Sequence, residues 1–182
     1  MEVTKADKKV SEKSSIKEWT KFILKLLIVY IIVNNSIGLT KVSGVSMSPT
    51  LRDGSLLLVN KLSTHISKPK HGDVIVINLQ DKGYSIIKRV IGLPGDTVVI
   101  KDGVVYVNNS PLPEIYTDGK SDDMKEVNVE ENKIFFLGDN RTPGESLDSR
   151  DEDMGTLPMS SIDGYAVVSI LPAYKIMKPL KF

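Results

Sequence analysis

Between Phe22 and Val33 the chain reads FILKLLIVYIIV, and Lys25 is its only charge. Side chains this apolar gain strongly from leaving water, so the segment has to find lipid, a protein core or a partner. Carried on through Asn34, Asn35, Ser36, Ile37 and Gly38 to Leu39, it is eighteen residues long. A helix of that length spans ~27 Å, close to the ~30 Å of a bilayer's hydrocarbon. Lys25 lies near one end, where its stem can snorkel towards the headgroups. Trp19 and Tyr30 are amphipathic, and Trp19 is placed where an interfacial ring belongs. The expectation is a single transmembrane anchor over residues 22–39. Two alternatives compete with it. One is a cleaved signal peptide, because Ser36-Ile37-Gly38 is small-x-small after an apolar run; the other is a buried core helix.

Residues 1–21 are polar and carry Lys5, Lys8, Lys9, Lys13, Lys17 and Lys21, partly offset by Glu2, Asp7, Glu12 and Glu18. Such a stretch has little to bury and is expected to be disordered at its start. Its lysines outnumber Lys41, the one that follows the apolar run. Positive charge stays inside, which puts the N-terminus in the cytoplasm and residues 40–182 on the outer face of the cell membrane, with a single pass between.

After Leu39 the pattern changes to short alternating runs punctuated by Gly, Pro, Asp and Asn. Strands are predicted at Ser55–Asn60, Asp73–Leu79, Tyr84–Gly92, Thr97–Lys101, Val104–Asn108, Lys133–Leu137 and Tyr165–Ile170. Asp102-Gly103 joins two of them as a two-residue hairpin loop, since both residues tolerate positive φ. Residues 109–132 are polar and turn-rich, with Val127 and Val129 alternating, and read as a surface excursion or small subdomain. Asp139–Pro158 is a long polar loop, of a length that is usually functional or disordered. The predicted fold is mainly β: antiparallel sheets in a partly closed, barrel-like domain behind one N-terminal transmembrane helix. Residues 1–21 form a tail, 22–39 the anchor, 40–96 and 133–182 the core, and 97–132 a hairpin with a small inserted subdomain.

Several chemistries are excluded early. Cysteine is absent, which removes disulfides, thiolate metal sites and a cysteine nucleophile. His65 and His71 are the only histidines, and no HExxH spacing exists, so no metal or other cofactor is expected. A formal net charge of +1 provides no general field for nucleic acid.

Three segments can carry chemistry. The first is Ser43-Gly44-Val45-Ser46-Met47-Ser48-Pro49-Thr50-Leu51. The second is Tyr84-Ser85-Ile86-Ile87-Lys88-Arg89-Val90-Ile91-Gly92-Leu93-Pro94-Gly95-Asp96. The third is Gly138-Asp139-Asn140-Arg141, followed by Ser146-Leu147-Asp148-Ser149-Arg150. Each has a plain structural reading when taken alone: a turn before a strand, a strand ending in a Pro-Gly turn, and a loop tied by Asp–Arg pairs.

Taken together and in this order, the three segments closely resemble the type I signal peptidases. The resemblance runs from the apolar segment to the last motif and includes His71-Gly72-Asp73-Val74-Ile75-Val76. It implies a membrane-bound serine endopeptidase that removes N-terminal signal peptides from exported pre-proteins, without a cofactor. By this resemblance Ser46 matches the nucleophile and Lys88 the general base. Met47, Pro49 and Thr50 match the nucleophile turn. Asp139, Asn140, Arg141, Asp148 and Arg150 match the supporting loop, and Ser146 matches the serine that orients the lysine. The implied partners are signal-peptide-bearing pre-proteins, membrane lipid and a nearby export translocon.

Elementary chemistry supports the pairing. A serine hydroxyl needs a base to take its proton, and a neutral lysine suffices if desolvation lowers its pKa from ~10.4. Lowering it to about 8 destabilises the charged form by roughly 3 kcal/mol. In a period-2 strand Lys88 shares its face with Tyr84, Ile86 and Val90, a neighbourhood that suits a desolvated amine. Arg89 shares the other face with Ser85, Ile87 and Ile91, so parity alone does not choose between them. Chemistry does, because a guanidinium cannot lose its proton at useful pH. Chain reach adds a constraint: seven extended steps from Leu39 to Ser46 cover at most ~25 Å, which keeps the nucleophile close to an anchoring membrane. A cleavage region with small residues at the first and third positions before the bond would bind extended along a strand edge.

Two departures from the family pattern matter. Position 44 is Gly, where some members carry a serine that donates to the oxyanion, so the Ser46 backbone N–H is the obvious donor. Thr142-Pro143-Gly144-Glu145 also puts two extra residues before Ser146, which a Pro-Gly turn could absorb. Rival readings are weaker. Self-cleaving repressors pair Ser with Lys but are cytosolic and need no anchor. Ser85-Ile86-Ile87-Lys88 and Ser67-Lys68-Pro69-Lys70 match the Ser-x-x-Lys string of penicillin-binding proteins, but that string works on a helix. A Gly-x-Ser-x-Gly esterase fails because position 48 is Ser. A membrane-tethered β-domain that binds exported peptides without cutting them is the non-enzyme alternative.

Overall fold

The computed structural model describes residues 3–171 and 175–177, with side chains from residue 16 onward except those of 175 and 176. The predicted core's last residues, 172–174 and 178–182, therefore lie outside the described residues, as do the first two of the tail. The chain divides into two units at Ser36 and Ile37.

The first unit is one helix, α1 (Val3–Ser36). It already includes most of the lysine-rich tail, which corrects the expectation of a disordered start. Its last turn is closed by side chains bonding back one turn: Asn35 Nδ2 donates to Ile31 O at 2.7 Å and Ser36 Oγ to Ile32 O at 2.6 Å. Asn34, Asn35 and Ser36 are poor helix formers, and Gly38 follows, so the helix stops there. The apolar side chains from Phe22 to Val33 are each 48–66% exposed, on every side of the helix. Among the described residues no helix is long and apolar enough to cross a membrane.

The second unit is mainly β. Its strands are β1 (Ile37–Lys41), β2 (Leu56–Asn60), β3 (Val74–Leu79), β4 (Tyr84–Gly92), β5 (Thr97–Lys101) and β6 (Val104–Val107), then β7 (Ser110–Pro111), β8 (Met124–Asn128), β9 (Lys133–Leu137), β10 (Leu157–Pro158), β11 (Ile162–Leu171) and β12 (Lys175–Ile176). The larger sheet runs β1-β2-β11-β3-β4-β9-β10, with β12 beside β11; the smaller runs β7-β6-β5-β8. Strand pairings in both are antiparallel. The larger sheet is an open path, so the partly closed barrel of the prediction is not formed.

The boundary of the apolar segment moves. Ile37, Gly38 and Leu39 leave the helix and pair with Asn60, Val59 and Leu58 in β1–β2. A strand next to a partner satisfies their backbone groups once the helix has ended. The excursion at 109–132 contributes strands of its own. Met124–Asn128 forms β8 against β5, and Val129 beyond it is 3% exposed in the core. The Asp102-Gly103 loop has φ of 54° and 78°, as a type I′ turn requires.

Strand β9 joins the two sheets energetically. Phe136 packs with Ile75, Ile77 and Val90, while Phe135 packs on the other side with Ile91, Val98 and Ile100. Both rings are fully buried. Strand β4 pairs with β3 from Tyr84 to Arg89 but meets β9 only from Arg89 onward, so Tyr84–Lys88 keep one free edge.

Candidate active site

The Ser46 turn hangs from β1 by apolar pegs. Val42, Met47 and Leu51 are at most 4% exposed and pack with Leu57, Val59 and Val76. Between them the chain has to reverse, and Gly44 does so at φ +96°, where a side chain would be strained. Its N–H donates to Asp53 Oδ1 at 2.8 Å, so Gly44 gives the turn its shape and has no free donor for an oxyanion. Ser48 N–H donates to Val45 O and Leu51 N–H to Met47 O, which winds the backbone around Pro49. The Ser46 carbonyl accepts the Asn140 N–H at 3.0 Å. The Ser46 N–H enters none of these bonds.

Lys88 reaches this turn from β4. Its Nζ donates to Ser46 Oγ at 2.7 Å, and the residue is 3% exposed. Burial pushes its pKa down to about 8; Asp148 and Asp139 pull the other way, and the Arg150 charge adds to the lowering. The cleft beside the pair has a volume of about 360 Å³, walled by Thr40–Ser43 on one side and Tyr84–Lys88 on the other.

The next residue, Arg89, points to the opposite face and is fully engaged. Nε and Nη2 donate to the two Asp139 oxygens at 2.8 and 2.6 Å, and Nη1 donates to Gly72 O at 2.8 Å. The Tyr116 ring lies 4.3 Å from its guanidinium carbon. Burial opposes its charge, but the hydrogen bonds and charge of Asp139 prevail and hold its pKa above the ordinary value.

The third motif supplies the floor. Asp148 accepts Arg150 Nε and Nη2, both at 2.8 Å, and the Gly138 N–H at 2.9 Å. Burial would raise the Asp148 pKa, but these partners hold it below the usual carboxylate range. A Cβ on Gly138 would overlap both the Ser46 carbonyl and Ser146 Oγ, so glycine alone fits there. Ser146 is thus brought to the Ser46 turn. Its hydroxyl is buried without a well-aligned hydrogen bond, near enough to Asp148 to help hold down that pKa, and it is not bonded to Lys88. The two extra residues form a turn: Glu145 N–H donates to Thr142 O and Gly144 has φ +83°.

Arg141 departs from the simple picture of Asp–Arg pairs within the motif. It is 1% exposed and ion-pairs with Glu114, a residue outside all three motifs. Burial pushes the Glu114 carboxyl up, against the pull of the Arg141 charge. Sequence reasoning missed Glu114 and Tyr116. No count gave them away: the motifs hold three arginines, Arg89, Arg141 and Arg150, and three aspartates, Asp96, Asp139 and Asp148.

An antiparallel β scaffold that sets a half-buried serine hydroxyl beside a desolvated amine is equipped for acyl transfer, the chemistry of serine hydrolases. Comparison with known proteins makes the class specific. The family model described as signal peptidase, peptidase S26, matches residues 16–171. Signal peptidase I of Bacillus licheniformis is 32% identical, with 94% of this chain and 97% of that protein aligned. Signal peptidase I S of Bacillus subtilis is 35% identical, over 93% and 96%. A probable signal peptidase I-1 of Synechocystis is 39% identical over 70% of this chain and 68% of its own length. The chain belongs to the signal peptidase family, peptidase S26, and is a serine peptidase. A crystal structure of a signal peptidase I from Enterococcus faecalis aligns with a TM-score of 0.47 at 31% identity, covering 55% of this chain and 97% of that one.

Proposed function

We propose that this protein is a membrane-attached endopeptidase that removes signal peptides from exported pre-proteins, with Ser46 as nucleophile and Lys88 as general base. The observation that carries the dyad is the 2.7 Å contact between Lys88 Nζ and Ser46 Oγ, made by an amine whose pKa burial brings to about 8. At neutral pH about a tenth of such an amine is already neutral. Neutral Lys88 takes the Ser46 proton as Oγ attacks the peptide carbonyl. The new ammonium protonates the leaving amine, and an ester to Ser46 is left. Lys88, neutral again, then takes a proton from water, which hydrolyses the ester. The free Ser46 N–H is the donor we assign to the oxyanion.

The free edge of Tyr84–Lys88 and the facing Thr40–Ser43 leave room for one extended strand. The peptide segment before the scissile bond lies there in this reading, with small side chains at its first and third positions. The apolar residues of α1 support membrane attachment, because about half of each side chain's surface lies bare. The run is short for a span, so Lys21 and Lys25 snorkel and the bilayer thins locally. The lysines put the N-terminus inside and residues 37–182 outside, next to emerging pre-proteins and the translocon.

Purified protein in detergent should cleave a pre-protein after its small-x-small site, with kcat/KM rising as pH passes through about 8. Ser46→Ala and Lys88→Ala should each be inactive; wild-type activity in either would sink the dyad. For topology, protease added to intact cells should digest the region after Ser36 and spare the lysine-rich tail. The reverse pattern would overturn the orientation.

A further inference from the structure

Three arginines sit under the nucleophile turn, and two find their carboxylates inside the sequence motifs. Arg89 takes Asp139 and Arg150 takes Asp148. Arg141, the most deeply buried large side chain of the motif, has Glu114 as its ion-pair partner. The segment that carries Glu114 threads through the site. Two residues on, the Tyr116 ring stacks on Arg89, and its carbonyl accepts Thr50 Oγ1 at 3.4 Å. Asp118 N–H then donates to Asp139 O at 3.0 Å, and Arg141 N–H donates to Asp118 O at 2.7 Å. Asn140 lies between those two bonds, and its own N–H holds the Ser46 carbonyl at 3.0 Å.

We propose that Glu114 is a positioning residue: by pairing with buried Arg141 it clamps residues 139–141 against Asp118 and so fixes the Asn140–Ser46 bond that sets the nucleophile. The proposal rests on the reading of Ser46 as nucleophile. A short path connects the two. Glu114 holds the Arg141 side chain, Arg141 and Asp139 hold Asp118 through the backbone, and the peptide between them aims its N–H at Ser46. Loosening the pair frees that peptide to rotate. The Ser46 hydroxyl then spends less time in line with the bound carbonyl, and small misplacements are severe in their effect on rate. None of residues 114–118 or 139–141 lines the cleft, so substrate binding should survive.

The test uses the full chain in detergent and Glu114→Gln. It should lower kcat about tenfold or more while KM stays within about twofold. Amide hydrogen exchange at Asn140 should quicken, while amides in the β3–β4 ladder keep their protection. Glu114→Asp should recover part of both. A lone buried guanidinium threatens the fold, so Glu114→Gln combined with Arg141→Gln removes both charges and should show the same kcat loss and faster exchange. Wild-type kcat with wild-type exchange at Asn140, in either folded variant, would overturn the proposal. A double variant that does not fold would also overturn it, since Glu114 would then act on the fold as a whole. The exchange measurement needs no substrate, so failure of wild-type protein to cut a pre-protein would count against the proposed function and leave this reading to stand or fall on exchange.

Discussion

Lys88 and Arg89 are neighbours on β4, both almost fully buried and both cationic in water, yet their surroundings treat them in opposite ways. Lys88 faces the cleft, has the Ser46 hydroxyl as its hydrogen-bond partner, and has its pKa pushed down to about 8. Arg89 faces the loop, takes both oxygens of Asp139 and the Gly72 carbonyl, and is held above its ordinary value. Burial acts against charge on both faces. The difference lies in whether a carboxylate is in direct contact. One face upholds the charge of its cation and the other works against it, and the strand's period of two separates them.

The sharpest way to break this contrast is to remove the structural cation. Arg89→Met leaves Asp139 fully buried with no guanidinium opposite, and breaking one side of a buried pair costs about 3–5 kcal/mol. Arg89→Lys should recover little of it, because an ammonium cannot fill both oxygens and the Gly72 carbonyl in one plane. Denaturant unfolding measures both. A loss below 1 kcal/mol for Arg89→Met would show that Asp139 finds another partner, and the two faces would then differ less than their geometry suggests.

Much of this contrast was legible in the sequence. Period-2 parity put the two residues on opposite faces, and the impossibility of deprotonating a guanidinium chose Lys88. Strands β4, β5 and β9 fell at the expected residues because their apolar runs end in Gly, Asp and Asn turn signals. The Pro143-Gly144 turn was legible for the same reason. What escaped has one cause: contacts between segments distant in sequence leave no local pattern. Ile37–Leu39 read as the end of an apolar run because the strand that claims them, Leu58–Asn60, lies some twenty positions on. Met124–Asn128 is half polar and becomes a strand through β5. Glu114 looked like one more charge in a polar loop, since nothing nearby announces that Arg141 is buried. Gly44 was read through the donor it lacks, whereas its N–H is taken by Asp53 and its conformation is what the turn uses.

Replacing Lys88 tests the other face and should move stability in the opposite direction. Lys88 titrates near 8 in the folded protein and near 10.5 in the unfolded chain. Below pH 8 both states hold the proton, and the folded state bears the whole penalty of a buried charge. That penalty is about 3 kcal/mol, from the difference of about two and a half pH units at 1.36 kcal/mol each. Between pH 8 and 10.5 the folded state sheds its proton first, so wild-type protein gains stability as pH rises. Above 10.5 both forms are neutral and the penalty is gone. Lys88→Met keeps the length of the stem and removes the amine, so at pH 7 it should be more stable than wild type by up to about 3 kcal/mol while losing activity. The gap should narrow steadily towards pH 10.5. Ser46 Oγ loses its donor in this variant, but the residue is half exposed and water can replace the bond, which offsets only part of the gain. Unfolding by denaturant at pH 7 and at pH 10 separates the two contributions. A variant less stable than wild type at pH 7 would mean that the bond to Ser46 outweighs desolvation, and Lys88 would then belong with Arg89 as a residue kept for structure.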